Sequence, residues 1–486
     1  MDAQDILRAA LNSRVSDALP DPTPLEHVPL LSARVARDVF LKREDLTPIF
    51  SFKLRGAYNR IALLTKDEKE RGVITESAGN HAQGVAFAAA KLGLRARVVM
   101  PRTTPAIKVA AVRRLGAIVD LVGDDYSEAA RRCLELAAET GMTVVPPFDH
   151  PDVIAGQATV GLEILRQATS DLGSIFVPVG GGGLAGGIAA VVKAVRPEIR
   201  VIGVEDDESD AMLRALRAGK PVALEHVGIF ADGAAVRQVG EHTFDLCRRY
   251  LDDCLTVSVD EICAAIKDVY EDTRSILEPA GALAVAGLKR AADEGKLAPG
   301  PVVVVASGAN VNFDRLRFVA ERAEVGEHRE AILAVTIPER PGSFLEFARV
   351  IGERAVTEFN YRLSSRDAAH VFAGIEISGR GEVEALQRDL RAKGFECRDL
   401  TGDELAKTHV RHMVGGASDE ARDEVLYSFE FPERPGALLR FLAALGNRWN
   451  ISLFHYRSDG STDGNVLCGF EVPESERAEL EARLQS

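Results

Sequence analysis

A lysine, Lys53, stands directly after Phe52 and three residues before Gly56 in the run Ser51-Phe52-Lys53-Leu54-Arg55-Gly56-Ala57. A lysine amine desolvated beside an aromatic ring favours its free base, which can add to an aldehyde to form an imine. Farther along, Gly180, Gly181, Gly182 and Gly183 separate an apolar, strand-like run from a helix-like run that starts at Leu184. Without Cβ atoms such a backbone can come close to a phosphate, and the helix behind it aims the positive end of its dipole at the dianion. Two other segments carry polar groups beside apolar runs: Ser77-Ala78-Gly79-Asn80-His81, and Ser307 after Val302–Ala306. Taken singly, each has a plainer reading. Lys53 is one of 59 lysines and arginines, most of which must be solvated. The glycines could form a tight turn, Ser307 could cap a turn, and His81 could be a general base or merely the start of a helix.

These groups can act together only if the chain converges them. From about residue 40 to 320, short β-branched runs alternate with helical patterns. The predicted strands are 96–100, 118–122, 143–146, 175–178, 201–205 and 302–306, and the predicted helices are 81–92, 106–115, 127–140, 155–168 and 184–195. This alternation predicts an α/β domain with twisted, mostly parallel sheets covered by helices. Asn80, the glycine run and Ser307 all fall near the carboxyl ends of strand-like runs, the edge where open α/β sheets bind ligands.

The three motifs, in this order and spacing, resemble the fold-type II pyridoxal-phosphate enzymes, which are tryptophan synthase β-like in fold, and are closest to the biosynthetic threonine deaminases. The resemblance covers about 20–320 for catalysis and 330–486 for regulation. It implies pyridoxal 5'-phosphate as cofactor, with Lys53 as the catalytic amine and Phe52, Asn80, Gly180 to Gly183, Leu184 and Ser307 as further cofactor ligands. Asn80 is expected at the phenolic oxygen of the ring and Ser307 at its nitrogen. A hydroxyl there does not hold the nitrogen protonated as a carboxylate would, which suits β-elimination. Ser77, Ala78, Gly79 and Asn80 are implied as the clamp for a substrate carboxylate. Glu76 departs from the family's small residue at that position and is expected to point outward. The implied reaction is dehydration and deamination of L-threonine to 2-oxobutanoate and ammonia, the first step of isoleucine biosynthesis, by a threonine ammonia-lyase. The rivals are a serine-preferring dehydratase or racemase of the same fold, and an amino-acid sensor whose catalytic half is inactive. Lys42-Arg43-Glu44-Asp45-Leu46, Pro147–Asp152, Ala231–Val236 and Glu278–Ala282 also match the family, with Glu278 able to face the active site near the ring.

Beyond a polar stretch at 323–330 lies an internal repeat. Ile337-Pro338-Glu339-Arg340-Pro341-Gly342 recurs as Phe431-Pro432-Glu433-Arg434-Pro435-Gly436, 94 residues on, and Phe359-Asn360-Tyr361-Arg362 recurs as Phe454-His455-Tyr456-Arg457 at an offset of 95. Each copy reads as strand, Pro-Gly turn, helix, strand, strand, helix, a split β-α-β arrangement. Such a pair could serve only to cement an oligomer, but it also resembles ACT-like amino-acid-binding modules, and Leu405–Gly416 resembles the connector of threonine deaminases. The expected division is a catalytic domain at 1–322, a linker at 323–330 and an α+β regulatory domain at 331–486. The last comprises an ACT-like repeat at 331–400, a connector at 401–424 and a second repeat at 425–486. By resemblance it binds isoleucine as feedback inhibitor and valine as activator, with the repeat-equivalent Tyr361 and Tyr456 as effector residues, in a homotetramer.

Composition narrows the partners. A formal charge of −14 and a pI near 5.4 oppose binding to nucleic acid or anionic lipid. No apolar run approaches the roughly 20 residues that span a bilayer, and the start lacks a basic, then apolar, leader, so a cytoplasmic protein is expected. The six cysteines lack metal-ligand or Cys-x-x-Cys spacing. A related racemase pattern would place a metal near Glu205 with an acid six residues on, but that residue is Ala211, and no metal is expected.

Overall fold

The run Val302–Ala306, four valines and an alanine, forms a strand buried on both faces, with Val302, Val304 and Ala306 in one apolar cluster and Val303 and Val305 in another. That period of two is what a strand between two helical layers requires. In the computed structural model, the described residues of the 486-residue chain are all but 124–125, 229, 314, 328, 364, 404–405, 408–417, 419, 433–436, 446–447, 458–462 and 485–486. They divide into two compact units, Met1–Ala323 and Glu324–Ser486.

Ten strands build the first unit: β1 (Leu25–His27), β2 (Val39–Arg43), β3 (Val73–Glu76), β4 (Ala96–Met100), β5 (Ile118–Leu121), β6 (Thr143–Val144), β7 (Ser174–Pro178), β8 (Arg200–Asp206), β9 (Asp253–Val257) and β10 (Val302–Ala306). The larger sheet has the order β1-β2-β10-β7-β8-β9 and is parallel except for the β1–β2 pair. The smaller sheet, β5-β4-β3-β6, is parallel throughout. Parallel neighbours need crossovers, and helices such as Asn80–Leu92, Pro151–Gln167 and Gly183–Val195 supply them.

The predicted strands all form, within a residue or two at their ends. β1, β2, β3 and β9 lie outside the predicted strands, and in β2 the apolar run is cut short by Lys42 and Arg43. Lys42 of β2 is nevertheless wholly buried. Its Nζ donates to Glu163 Oε2 (2.5 Å), the Thr23 carbonyl (2.7 Å) and Gln167 Oε1 (2.8 Å). Beside it Arg55 makes a two-pronged contact with Glu44 (both 2.7 Å) and reaches Glu163 Oε1 (2.6 Å). Two cations and two carboxylates balance, which is the condition for burying charge at all. The network ties β2 and the helix Pro151–Gln167 to the helix Lys53–Ala62, and so holds Lys53 in place.

The second unit contains β11 (Glu330–Pro338), β12 (Val356–Arg362), β13 (Ala368–Glu376), β14 (Glu396–Asp399), β15 (Glu424–Pro432), β16 (Asn450–Arg457) and β17 (Asp463–Glu471). They form one antiparallel sheet of order β14-β11-β13-β12-β16-β17-β15. The two copies of the repeat therefore lie side by side, joined where β12 pairs with β16. Phe359 and Phe454 meet across that seam with ring centroids 5.2 Å apart. The first copy adds β14 to the predicted arrangement, whereas the second ends in the helix Arg477–Leu484. Helix Arg315–Gly326 runs into the polar stretch 323–330, and β11 begins at Glu330. The second Pro-Gly turn and most of the connector Leu405–Gly416 lie outside the described residues.

Candidate active site

Lys53 opens its helix and points into a cavity of about 500 Å³, including its mouth, at the carboxyl ends of β7 and β10. Its Nζ donates to the Pro147 carbonyl (2.9 Å) and lies 5.3 Å from the centre of the Phe52 ring. The side chain keeps part of its surface open to the cavity and is otherwise surrounded by protein. Burial pulls the amine down to about 8, against the opposing pull of the Glu278 carboxylate. Roughly a tenth is therefore free base at neutral pH, several hundred-fold more than for an ordinary lysine, as an imine-forming amine requires.

Opposite Lys53, the glycine run connects β7 to the helix Gly183–Val195. A Cβ on Gly180 would lie 2.7 Å from the Ala234 carbonyl oxygen, and one on Gly181 would lie 2.3 Å from the Phe148 ring. Gly182 has φ +88°, a left-handed conformation costly for any other residue. The loop is thus restricted to glycine by close packing and by backbone geometry, and its free N–H groups sit at a helix N-terminus. These features fit a phosphate, and the buried low-pKa amine fits the aldehyde of pyridoxal phosphate.

The cavity brings together Phe52, Lys53, Asn80, Gly180 to Gly183, Leu184 and Ser307. Ser307 is buried, its Oγ 3.4 Å from the Ala280 carbonyl. Asn80 begins the helix Asn80–Leu92, and its Nδ2 donates to Glu278 Oε1 (2.6 Å). Ser77, Ala78 and Gly79 form the half-buried turn before that helix and do not line the cavity. Glu76 turns away from the cavity, toward the helix Tyr126–Thr140, where the Tyr126 hydroxyl donates to it (3.4 Å). His81 Nε2 is 2.8 Å from the Val145 carbonyl, and burial together with nearby Lys53 pushes it down to about 3. It stays neutral and donates there, and so low a pKa makes it a weak base.

Six cavity residues belong to segments that the sequence singled out without a firm role: Pro147, Phe148, Gly233, Ala234, Glu278 and Ala280. Gln157 had no sequence signal beyond being a polar residue, with Thr159, in the otherwise apolar run 153–160; its Oε1 accepts from the Gly56 N–H (3.2 Å). Glu205 is buried and pushed up to about 8, and its carboxyl accepts from the Met212 and Leu213 N–H groups (both 2.8 Å) at the start of the helix Ala211–Ala218. Among the described residues no three His, Cys, Asp or Glu side chains are grouped to hold a metal, and no helix is long and apolar enough to cross a membrane.

Residues 18–308 match the family of pyridoxal-phosphate dependent enzymes, and residues 321–410 and 415–486 match the C-terminal regulatory domain of threonine dehydratase. The chain is 55% identical to the L-threonine dehydratase biosynthetic IlvA of Burkholderia multivorans over 484 residues, covering 99% of this chain and 95% of that one. The chain belongs to the pyridoxal-phosphate dependent threonine dehydratases. Among solved structures, the processed form of threonine deaminase isoform 2 from Solanum lycopersicum matches with TM-score 0.64 and 46% identity over 66% of this chain and 93% of that one. The structure of maize serine racemase matches with TM-score 0.60 and 30% identity over 66% and 98%.

The regulatory unit of this dehydratase has a cavity of its own, about 370 Å³ including its mouth, between the helices Ser343–Ile351 and Ala437–Leu445. Phe344, Leu345, Leu442, Leu445 and Trp449 give it apolar walls, with Arg340 and Asn450 as polar members. Tyr361 and Tyr456 are both buried and lie outside this lining. Tyr361 packs edge-on against Phe344 (centroids 4.8 Å apart) and donates its hydroxyl to Glu339 Oε2 (2.5 Å). Asn450 donates to the other oxygen of Glu339 (2.8 Å).

Proposed function

We propose that the chain converts L-threonine to 2-oxobutanoate and ammonia with Lys53 as its catalytic amine, and that isoleucine bound in the second unit inhibits this reaction. The bound cofactor supplies an electron sink that acidifies the α-carbon of the amino acid attached to it. Lys53 Nζ holds the cofactor at rest and takes the α-proton during the reaction. Gly180 to Gly183 and Leu184 hold the phosphate, Ser307 faces the ring nitrogen, and Asn80 gives an N–H to the ring's phenolic oxygen. Ser77, Ala78, Gly79 and Asn80 bind the substrate carboxylate, the first three from the turn just outside the cavity. The observation that carries this reading is the buried Lys53 amine, near pKa 8, facing a loop that close packing restricts to glycine.

The apolar cavity of the second unit suits a branched aliphatic side chain, with Arg340, which pairs with Glu346 at 3.4 Å, as the cation at its edge for a carboxylate. Isoleucine is the proposed inhibitor and valine the activator, with Tyr361 and Tyr456 acting from behind the cavity wall. The working form is a cytoplasmic homotetramer. Release of 2-oxo acid from L-threonine and from L-serine, each with and without isoleucine, tests the whole reading. Faster release from threonine, suppressed by isoleucine, is expected. Preference for serine would favour the dehydratase rival, and indifference to isoleucine would refute the role of the second unit.

A further inference from the structure

Asn80 can serve a ring oxygen only if the nitrogen end of its amide faces it, and an amide has no intrinsic preference between its two ends. In this chain the choice is made by a relay of hydrogen bonds. The Ile49 carbonyl accepts from Asn310 Nδ2 (2.8 Å), and the same nitrogen donates to Asn80 Oδ1 (2.8 Å). A backbone carbonyl can only accept, so the Asn310 amide is fixed with its nitrogen toward Ile49, and both of its N–H groups are spent. Asn80 must then present oxygen to Asn310 and nitrogen to the other side, where Glu278 Oε1 accepts at 2.6 Å. One N–H of Asn80 remains.

Glu278 is well placed to close this relay. It precedes the helix Pro279–Asp293, yet its side chain makes no capping bond to that helix and turns into the cavity. The carboxyl is tightly enclosed: a Cβ on Gly308 would lie 2.4 Å from Oε1, and one on Gly233 would lie 3.4 Å away. The Glu278 N–H donates to the Gly308 carbonyl (3.1 Å), which fixes its backbone beside the segment that carries Ser307.

We propose that Glu278 and Asn310 are positioning residues that together set which end of the Asn80 amide faces the cofactor, leaving one Asn80 N–H for the ring oxygen. The proposal rests on the assignment of Asn80 to that oxygen. Burial, and then Asp232, push the Glu278 carboxyl up to about 7, while Lys108 and the hydrogen bonds from Asn80 and the Asn310 backbone oppose the rise. Lys53 is the other charged group coupled to it. Protonated or not, Glu278 keeps an oxygen that accepts from Asn80, so the clamp persists on both sides of neutrality while the charge in the cavity changes.

The test uses the cofactor-loaded enzyme and reads the visible absorbance of the bound cofactor against pH, together with kcat and KM. Asn310→Asp replaces the donor facing Asn80 Oδ1 by an acceptor and should turn the Asn80 amide over. A shifted absorbance maximum and a loss of about ten-fold or more in kcat, with KM little changed, are expected. Glu278→Leu removes the acceptor at the nitrogen end but leaves Asn310 in place, and should give a smaller shift in the same direction. Glu278→Gln, which keeps a carbonyl acceptor, should recover the unshifted absorbance while removing the limb near pH 7 from the kcat profile. If Glu278→Leu does not fold, Asn310→Asp and Glu278→Gln still decide the matter. Unshifted absorbance in Asn310→Asp and Glu278→Leu, even with lowered thermal stability, overturns the proposal. Asn80→Ala separates the levels: if it shifts the absorbance while the other two do not, the clamp alone fails. If Asn80→Ala itself leaves the absorbance unshifted, the assignment of Asn80 fails and the clamp with it.

Discussion

One wall of the cavity of the first unit is main chain, the glycines Gly180 to Gly183 at a strand-to-helix turn, and the polar side chains of Lys53, Asn80, Glu278 and Ser307 also line it. The cavity of the second unit is walled by the side chains of Phe344, Leu345, Leu442, Leu445 and Trp449. The contrast follows from what each must hold. A phosphate needs many short N–H contacts, which only an exposed backbone can supply, and a catalytic amine needs burial to lower its pKa. An aliphatic effector needs shape and dryness, which side chains supply and can vary with little cost to the fold. Substitutions in the first cavity should therefore destroy chemistry, and those in the second should change only its control.

The largest separation between the two should come from Lys53→Ala. Turnover of L-threonine should fall by about 10³-fold or more, while pyridoxal phosphate still binds without becoming reducible onto the protein; full activity would refute the mechanism. Next is Gly181→Ala, whose Cβ would collide with the Phe148 ring at 2.3 Å. Overpacking of that kind costs about 1–3 kcal/mol. Cofactor affinity measured by equilibrium dialysis should drop accordingly, with the response to isoleucine preserved in the fraction that remains loaded. Arg340→Ala probes the other side, and the isoleucine concentration needed for half inhibition should rise about ten-fold, leaving kcat without effector as it was. A fall in kcat there would erase the contrast.

The smallest effect is on pH. The Lys53 amine is lowered to about 8, so below that value most of it carries the proton that blocks imine formation. The rate at which apoenzyme takes up pyridoxal phosphate should rise as pH rises, gaining roughly five-fold over the last unit before that pKa, then level off. Stopped-flow absorbance would show this. The linkage to stability has the same sign: a lysine with a lowered folded-state pKa contributes stability that is present above its unfolded value and lost as pH falls through about 8.

Much of the fold was legible because its signals are local. Val302–Ala306 could only be a doubly buried strand, and the repeated Pro-Gly turn with its flanking apolar runs announced a duplication before any contact was known. β2 was illegible for an equally definite reason. Lys42 and Arg43 look like solvated charges until Glu163, more than a hundred residues away, is brought to Lys42. The side-by-side joining of the repeats through β12 and β16 was likewise silent in the sequence, since pairing register depends on which edges meet.

The site divides along the same line. Lys53, the glycine run, Asn80 and Ser307 could be named in advance because residue type and near neighbours already limit what they can do: a glycine lacks a Cβ in any fold, and lysine is the only side chain with a primary amine that can form such an imine. That Lys53 is lowered to about 8, that burial and Lys53 keep His81 neutral, that Glu76 turns toward Tyr126, and that Glu278 meets Asn80 across 198 positions were settled only when the folded chain set each group's neighbours. Desolvation and Coulomb interaction depend on distance in space, and no spacing along the chain reports it.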